Sequence, residues 1–154
     1  MDVASQLGLP PIDQVAWIVR DLDKALESFG PLFGEFTRMD SSLEGCQYRG
    51  RRADVSLRIA FGRSGPLEIE LIEPVSGESP HFELLEKYGE GVHHVRFRVD
   101  DLDPPREKLE ALGFRVIWAH EMPAIHTRWA YLEAPAGQGG ALVELLEMPS
   151  GTVE

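Results

Sequence analysis

Two stretches of this chain resemble each other at a separation of 80 positions. Residues 14–23 and residues 94–103 share two valines, a large aromatic residue and a terminal Asp-Leu-Asp at matching places. A second pair of similar segments, residues 68–77 and 142–151, follows in the same order. A unit of roughly sixty to seventy residues is therefore used twice, which predicts a duplicated module because two copies are too few for a solenoid.

The composition narrows the class of protein. A chain of 154 residues is long enough for one domain with a substantial core. Its apolar runs are too short to span a membrane, and no secretion signal is recognisable. The formal charge of −11 argues against broad nucleic-acid binding, although a pocket can be locally positive. Cys46 is the one cysteine, so an intrachain disulfide is excluded and a reducing compartment, the cytoplasm, is expected.

Hydrophobic periodicity predicts the same order of elements in both modules, namely one strand, one helix and three further strands. Module one covers about residues 11–75, a linker covers 76–91, and module two covers about 92–149. The predicted strands are 12–19, 33–39, 53–61, 67–73, 94–99, 114–120, 128–133 and 141–147, with a turn at 135–140. The predicted helices run from the N-cap Asp21 to Gly30-Pro31, from Ser79-Pro80 through the linker, and from the N-cap Asp103 to Gly113.

The strand predicted at residues 94–99 alternates between an apolar and a polar face. One histidine and two arginines on the polar face would be costly to bury in a dry environment. Such a face is either solvated or lines a pocket that holds a metal ion or an anion. The apolar face consists of Val95, Phe97 and Val99, and the polar face of His94, Arg96 and Arg98.

Four polar residues occupy matching places in the two modules. Gln14 and His94 lie near the start of the first strands, and Glu70 and Glu144 lie on the last strands. Both glutamates have apolar neighbours, and a buried carboxylate needs a cation or a hydrogen-bond partner. These donors would suit a divalent ion such as Zn, Ni, Co, Mn or Fe. The alternative is that each glutamate lies on an exposed strand face, but its recurrence in both modules favours a shared metal site.

On these residues the chain resembles the vicinal oxygen chelate superfamily, which includes glyoxalase I, methylmalonyl-CoA epimerase, extradiol dioxygenases and fosfomycin and bleomycin resistance proteins. The similarity covers residues 12–149. It implies an α+β fold in which two tandem βαβββ modules form a cupped mixed sheet around a central cavity. It also implies a homodimer. Carried over by position, the metal ligands are Gln14, Glu70, His94 and Glu144, and His93 points to the opposite face of its strand.

Different features of the chain resemble two different subfamilies. Segments 73–80, 89–94 and 99–101 resemble methylmalonyl-CoA epimerases, which usually have histidine in place of Gln14 and glutamine in place of Glu70. The set of four ligands instead resembles the eukaryotic type of glyoxalase I. The glutathione-binding segment of that enzyme is not evident after Glu70, so neither resemblance is complete.

Two departures from the epimerase pattern bear on function. Epimerases of this type carry a second glutamate base on a middle strand of the first module, where the strand at 53–61 offers only Ser56 or Arg58. This absence predicts inefficient epimerisation of methylmalonyl-CoA. Arg96 replaces a small residue beside the metal histidine and is predicted to bind a carboxylate or phosphate of the substrate. The alternative for Arg96 is an internal salt bridge to a neighbour such as Glu68.

The pattern predicts a metal-dependent isomerase or lyase that acts through a metal-stabilised enolate on a small anionic oxygenated substrate or thioester. Glu144 is the first candidate base, because a ligand carboxylate can detach in this family. His126, in a loop, is the second candidate, with a merely solvated histidine as the alternative. Arg58 and Arg128 are further candidates for binding the substrate anion.

Two other functions remain open at this stage. An extradiol-type dioxygenase requires two histidines and one carboxylate on the metal, and Gln14 argues against that set. A metal-free small-molecule binding or resistance protein would have an aromatic-lined cavity, whereas strand alternation points Trp17 away from Gln14.

Overall fold

The computed structural model describes residues 6–136 and 140–149, which form an eight-stranded mixed β-barrel with three α-helices. The strands are β1 (Gln14–Ile18), β2 (Thr37–Tyr48), β3 (Arg51–Ser64), β4 (Leu67–Gly77), β5 (Gly91–Val99), β6 (Arg115–Met122), β7 (Thr127–Glu133) and β8 (Leu142–Glu147). The helices are α1 (Leu22–Phe33), α2 (Pro80–Tyr88) and α3 (Asp103–Ala111). Their sequence along the chain confirms the predicted α+β fold with two strand–helix–three-strand modules.

The two modules meet at two places around the barrel, whose strand order is β1-β4-β3-β2-β6-β7-β8-β5. Within each module the first and last strands pair in parallel, β1 with β4 and β5 with β8. Between modules, β1 pairs antiparallel with β5. On the other side, a seam between β2 and β6 consists of two residue pairs, Gln47 with Ala119 and Tyr48 with Trp118. The polar strands singled out by the sequence are therefore neighbours in the order β4-β1-β5-β8.

The helix boundaries confirm some capping predictions and correct others. Asp21 caps α1, because its carboxylate accepts the Lys24 N–H at 3.1 Å. The predicted end of this helix at Gly30-Pro31 is wrong. Proline removes one donor, but the Gly34 N–H still reaches the Gly30 carbonyl at 2.8 Å and closes a further turn.

The other two helices begin differently from each other. Ser79 caps α2 by accepting the His81 N–H, at the place where the sequence predicts the start of a helix. The prediction that Asp103 is an N-cap is wrong, because Asp103 is the first residue of α3 and its N–H is accepted by Asp101 at 3.0 Å. Among the described residues, no helix is both long enough and apolar enough to cross a membrane.

The strand β2 departs most from the sequence prediction. It was expected at residues 33–39, but it begins at Thr37 and extends to Tyr48, with a bulge between Leu43 and Cys46. Most of its first half is exposed, so no alternation of apolar and polar residues signals it. The turn predicted at 135–140 includes residues 137–139, which lie outside the described chain.

The helices α1 and α3 cover the outer face of the barrel. Trp17 on β1 contacts Phe29 of α1, with ring centroids 5.4 Å apart. Phe97 on β5 packs in the corresponding cluster with Leu109 of α3. These contacts confirm that the two matching aromatic residues belong to the core outside the barrel.

The barrel interior has an apolar part and a polar layer. The apolar part includes Leu57 and Ile59 on β3 and Ile72 on β4. The polar layer comes from the four adjacent strands β4, β1, β5 and β8, and each of its residues is at most 8% exposed. Its members are Gln14, Glu68, Glu70, His94, Arg96 and Glu144.

Candidate metal centre

The four residues predicted as ligands meet inside the barrel. His94 Nε2 lies 2.9 Å from Gln14 Oε1, 3.0 Å from Glu144 Oε2 and 3.8 Å from Glu70 Oε1. Donor atoms about 2.1 Å from one ion lie about 3.0–3.4 Å apart in octahedral or tetrahedral coordination. The observed separations are close to that range, so small side-chain adjustments would bring all four donors to one ion.

The amide of Gln14 is oriented by two carboxylates. Its Nε2 donates to Glu68 Oε1 at 2.7 Å and to Glu70 Oε2 at 3.3 Å. A carboxylate only accepts, so the nitrogen of the amide must face Glu68 and Glu70, and the oxygen must face His94. The amide oxygen of Gln14 is thereby presented to the centre of the site.

A second chain of hydrogen bonds determines which nitrogen of His94 carries its proton. The neighbouring His93 is fully buried, and its Nε2 lies 3.3 Å from the Pro80 carbonyl. Burial, and after it His81, hold the pKa of His93 well below its ordinary value, so the ring is neutral. A carbonyl can only accept, and His93 therefore carries its hydrogen on Nε2 and accepts at Nδ1.

The partner of that acceptor is His94 Nδ1, at 2.9 Å. His94 must donate from Nδ1, which leaves its Nε2 lone pair directed at the oxygens of Gln14, Glu144 and Glu70. A lone pair surrounded by oxygen acceptors is unfavourable unless a cation lies between them. Either a proton on Nε2 or a metal ion would supply that charge, and the donors present fit a divalent ion.

Within the described residues, no three His, Cys, Asp or Glu side chains already have the spacing of ligands around a bound ion. The reason lies in the geometry above, where the donors bond to one another and Glu70 is the most distant. The donor set fits a metal chemically, and the metal itself remains a prediction.

Aromatic rings close the site on the side of β7. The ring of Tyr131 lies 4.8 Å from that of His94, and His81 and His93 stack against each other at 4.7 Å. Burial raises the pKa of the Tyr131 hydroxyl well above its ordinary value, and Glu144 and Glu70 raise it further. Tyr131 is therefore a neutral phenol at neutral pH and a neighbour of the site without charge of its own.

The buried Arg96 takes part in an internal ion pair. Its guanidinium contacts both oxygens of Asp13, at 2.9 and 3.1 Å, and lies 3.6 Å from Glu68 Oε1. Strand alternation correctly placed Arg96 on the His94 side, because both are inside the barrel. The contacts are those of the alternative that the sequence left open, a salt bridge including Glu68. Binding of a substrate anion by Arg96 stays a prediction.

Two predicted anion-binding arginines lie outside the barrel, away from the four predicted ligands, and their binding of a substrate anion stays a prediction. Arg58 bonds Glu73 at 3.1 Å and lies near Asp23 of α1, because it alternates with the inward-facing residues of β3. Arg128 bonds Glu147 at 2.9 Å and Asp103 at 3.1 Å, where it ties α3 to β7 and β8.

The second candidate base, His126, is also remote from the site. It is exposed and follows a short 3₁₀ turn, Pro123–Ile125, with a left-handed backbone at φ 49°. It precedes β7 and stands five residues from Tyr131, at most about 17 Å at about 3.3 Å per residue. The prediction that His126 acts as a base is not supported by this position.

The strand β3 offers no acid to the interior among the described residues. Val55, Leu57 and Ile59 face inward, while Ser56 faces outward and bonds Ser42 at 3.0 Å. Sequence reasoning likewise placed no base on this strand. It missed Tyr131 and Asp13, whose roles depend on contacts between distant strands that no local pattern reveals.

The fold and site identify a class of protein. The family model of the Glyoxalase/Bleomycin resistance protein/Dioxygenase superfamily matches residues 13–131, and the chain belongs to this superfamily. Its relatives include a 2-epi-5-epi-valiolone epimerase from Actinomyces sp., which is 31% identical over 94% of this chain and 82% of its own length.

Two further relatives share an activity in their names. The ethylmalonyl-CoA/methylmalonyl-CoA epimerase of Cereibacter sphaeroides is 36% identical over 51% of this chain, and the match spans 60% of that protein. The crystal structure of methylmalonyl-CoA epimerase from Mycobacterium tuberculosis superposes with a TM-score of 0.62 at 25% identity, covering 92% of this chain and 89% of that one. These similarities support an epimerase or isomerase role within the superfamily.

Proposed function

We propose that this chain is a divalent-metal-dependent epimerase or isomerase that removes and returns a proton on the carbon next to a substrate carbonyl. The observation that carries the proposal is the convergence on His94 Nε2 of oxygens from Gln14, Glu144 and Glu70, at 2.9, 3.0 and 3.8 Å. The curated epimerase relatives support the same reaction class.

Four side chains would hold the ion: Gln14 through its amide oxygen, Glu70 and Glu144 through carboxylates, and His94 through Nε2. When bound, a divalent cation withdraws electron density from a carbonyl oxygen and makes the neighbouring C–H more acidic. His93 keeps the lone pair of His94 available, and Glu68 keeps the oxygen of Gln14 available. The site thus contains both the donors and the groups that orient them.

The two carboxylates suit a reaction that exchanges a proton between two faces of a carbon. Glu70 lies on β4 and Glu144 on β8, which are on opposite sides of β5 and its His94 in the strand order. One carboxylate can take the proton and the other can return it. This pair supplies the second acid that β3 lacks. A two-histidine dioxygenase site is disfavoured, because His93 bonds to Pro80 and His94 and does not face the centre.

The proposal predicts that Glu144→Gln abolishes most proton exchange. Deuterium incorporation from D₂O into methylmalonyl-CoA and 2-epi-5-epi-valiolone, followed by mass spectrometry, measures the reaction for purified protein. We expect exchange with at least one substrate, its loss after chelation and its return with a divalent ion. Glu144→Gln should lower the rate by about 100-fold or more.

Glu147→Gln is the matched control, because Glu147 lies on the same strand and pairs outward with Arg128. It should leave the exchange rate near that of the wild type. Exchange that survives complete removal of metal, or that is indifferent to Glu144→Gln, would contradict the proposed function.

A further inference from the structure

The indole of Trp118 carries a buried donor without an acceptor. Within the part of the chain that the structure describes, Trp118 Nε1 is the one buried side-chain nitrogen or oxygen that has no hydrogen-bond partner. The residue is 2% exposed and belongs to the interior cluster of the barrel. Buried polar groups nearly always have a partner, so an unpaired N–H at this place indicates an acceptor that arrives from outside the chain.

A single aromatic ring, that of Tyr131, separates Trp118 from the candidate metal centre. Its ring lies 4.7 Å from that of Tyr131 in an edge-to-face arrangement, and Tyr131 lies 4.8 Å from His94. On its other side Trp118 contacts His81 at 5.2 Å with perpendicular rings. The unpaired donor therefore belongs to the same interior space as the four predicted ligands.

The polar atoms around Trp118 already have partners. The Tyr131 hydroxyl lies 3.4 Å from His81 Nε2, and His81 Nδ1 lies 2.9 Å from Ser79 Oγ. A buried water generally needs two to four polar partners, roughly three on average. The neighbouring groups leave little for such a water to bond. By contrast, an oxygen atom of a larger ligand needs no hydrogen-bond partner here other than the indole N–H.

Trp118 also lies at a short seam between the two modules. It forms one of the two residue pairs of the β2–β6 seam, opposite Tyr48. The other pair, Gln47 with Ala119, borders a cavity of about 770 Å³ on the outer face of the seam, which Trp118 does not line. Two pairs are a weak joint compared with the five pairs that connect β1 to β5 or β7 to β8. The seam next to Trp118 is the shortest pairing between neighbouring strands of the barrel.

We infer that Trp118 is a substrate-binding residue whose indole N–H donates a hydrogen bond to an oxygen of the carbonyl substrate. The inference rests on the proposed function for the identity of the ligand class. It assigns a role to the seam side of the barrel, whereas the four predicted ligands lie on β4, β1, β5 and β8. A substrate whose oxygen reaches the Trp118 N–H while its reacting carbon lies at the metal centre would therefore be preferred. A substrate without such an oxygen would lack this bond.

The chain offers an internal comparison, because it has three tryptophans. In a ¹H–¹⁵N spectrum of ¹⁵N-labelled protein, each indole gives one N–H resonance, assigned with Trp17→Phe, Trp118→Phe and Trp129→Phe. Addition of whichever carbonyl probe exchanges its proton should move the Trp118 resonance downfield. The Trp17 resonance should stay in place, since Trp17 packs outside the barrel.

Kinetics provide the second measurement. Trp118→Phe should raise the KM of proton exchange by about 3- to 10-fold, the effect of losing one neutral hydrogen bond, with metal content unchanged. Trp129→Phe is the control, because Trp129 is a half-buried neighbour whose ring lies 6.1 Å from Trp118. If Trp118→Phe does not fold, benzothienylalanine at position 118 removes the N–H and keeps the ring shape.

The outcomes separate the two proposals. A wild-type protein that exchanges protons while its Trp118 resonance and the KM of the Trp118 variants stay unchanged would overturn the role of Trp118 and leave the proposed function standing. If an ordered water accepts the hydrogen bond of Trp118 and the KM does not change, the role of Trp118 is overturned equally. A protein that exchanges no proton contradicts the proposed function, and a Trp118 resonance that also fails to respond to either carbonyl probe overturns the role of Trp118.

Discussion

At the scale of single residues, the candidate site depends on side chains that do not touch the proposed ion. His93 determines the tautomer of His94, and Glu68 determines the orientation of the Gln14 amide. Groups in this position commonly change metal affinity by about 10- to 100-fold when they are removed. The histidine pair, read in the sequence as one ligand and one outward residue, is in fact a connected unit.

His93→Phe should weaken metal binding by about 10- to 100-fold while the protein stays folded. Phenylalanine fills the buried space but cannot accept the His94 Nδ1–H, so His94 loses the partner that keeps its proton on that nitrogen. Titration with Co²⁺, followed by visible absorption, measures the affinity. His120→Phe is a suitable control, because His120 is partly buried beside Trp129 and away from the site. An unchanged affinity in His93→Phe would refute the proposed role.

At the scale of elements, α3 is tied to the sheet by a cluster of charges. Arg128 bonds Glu147 and Asp103, and Glu147 also accepts the Leu102 N–H at 2.9 Å. The bonds from Arg128 hold the pKa of Glu147 below its ordinary value of 4.5. They hold the pKa of Asp103 below its ordinary value as well. The cluster is a structural joint at the start of the helix.

The stability contributed by Glu147 should depend on pH. A carboxylate whose pKa is lower in the folded state stabilises that state above its unfolded pKa, and the effect disappears as pH falls through the folded pKa. Glu147→Gln should therefore lower the free energy of unfolding by about 0.5–1 kcal/mol at pH 7 and by progressively less as the pH falls below 4.5 through the folded pKa. Urea unfolding at pH 7 and at pH values below 4.5 measures this. An equal loss at each pH would show that the charge is irrelevant.

The strands and helices also show how much of the fold could be predicted from the sequence. Seven strands and three helices were predicted near their observed positions, because apolar periodicity, the Asp21 cap and the Ser79-Pro80 helix start are local signals. The strand β2 was misplaced, since it is largely exposed and its pairing with β3 is a tertiary property. The four convergent residues were predictable from the repeat. Arg58 and Arg128 were not, because their outward orientation depends on partners in α1 and α3.

At the scale of the whole molecule, an ion-pair cluster joins the two modules, with Arg96 and Glu68 buried and Asp13 partly exposed. Arg96 belongs to β5 of module two, and its partners Asp13 and Glu68 belong to module one. Removing one member of such a pair leaves charge buried without compensation, which is strongly destabilising. The pair therefore contributes to unfolding of the two modules as one unit.

Arg96→Ala should lower the free energy of unfolding by about 3–5 kcal/mol. Arg96→Lys should recover part of it, because an ammonium cannot reproduce the planar fork that Asp13 accepts. Chemical denaturation measures the loss, with Arg63→Ala on the exposed part of β3 as control. A stable Arg96→Ala with a raised KM would instead support the substrate-binding role predicted from the sequence.

The antiparallel pairing of β1 with β5 has a consequence for symmetry. Val15 is paired with Val95, its own counterpart in the duplicated sequence, so a local two-fold axis passes between them. That axis exchanges Gln14 with His94 and Glu70 with Glu144. Two identical halves related by it would have to carry the same residue at both positions of each pair. Joining the halves in one polypeptide removes that restriction, and the amide can then face an imidazole across the axis.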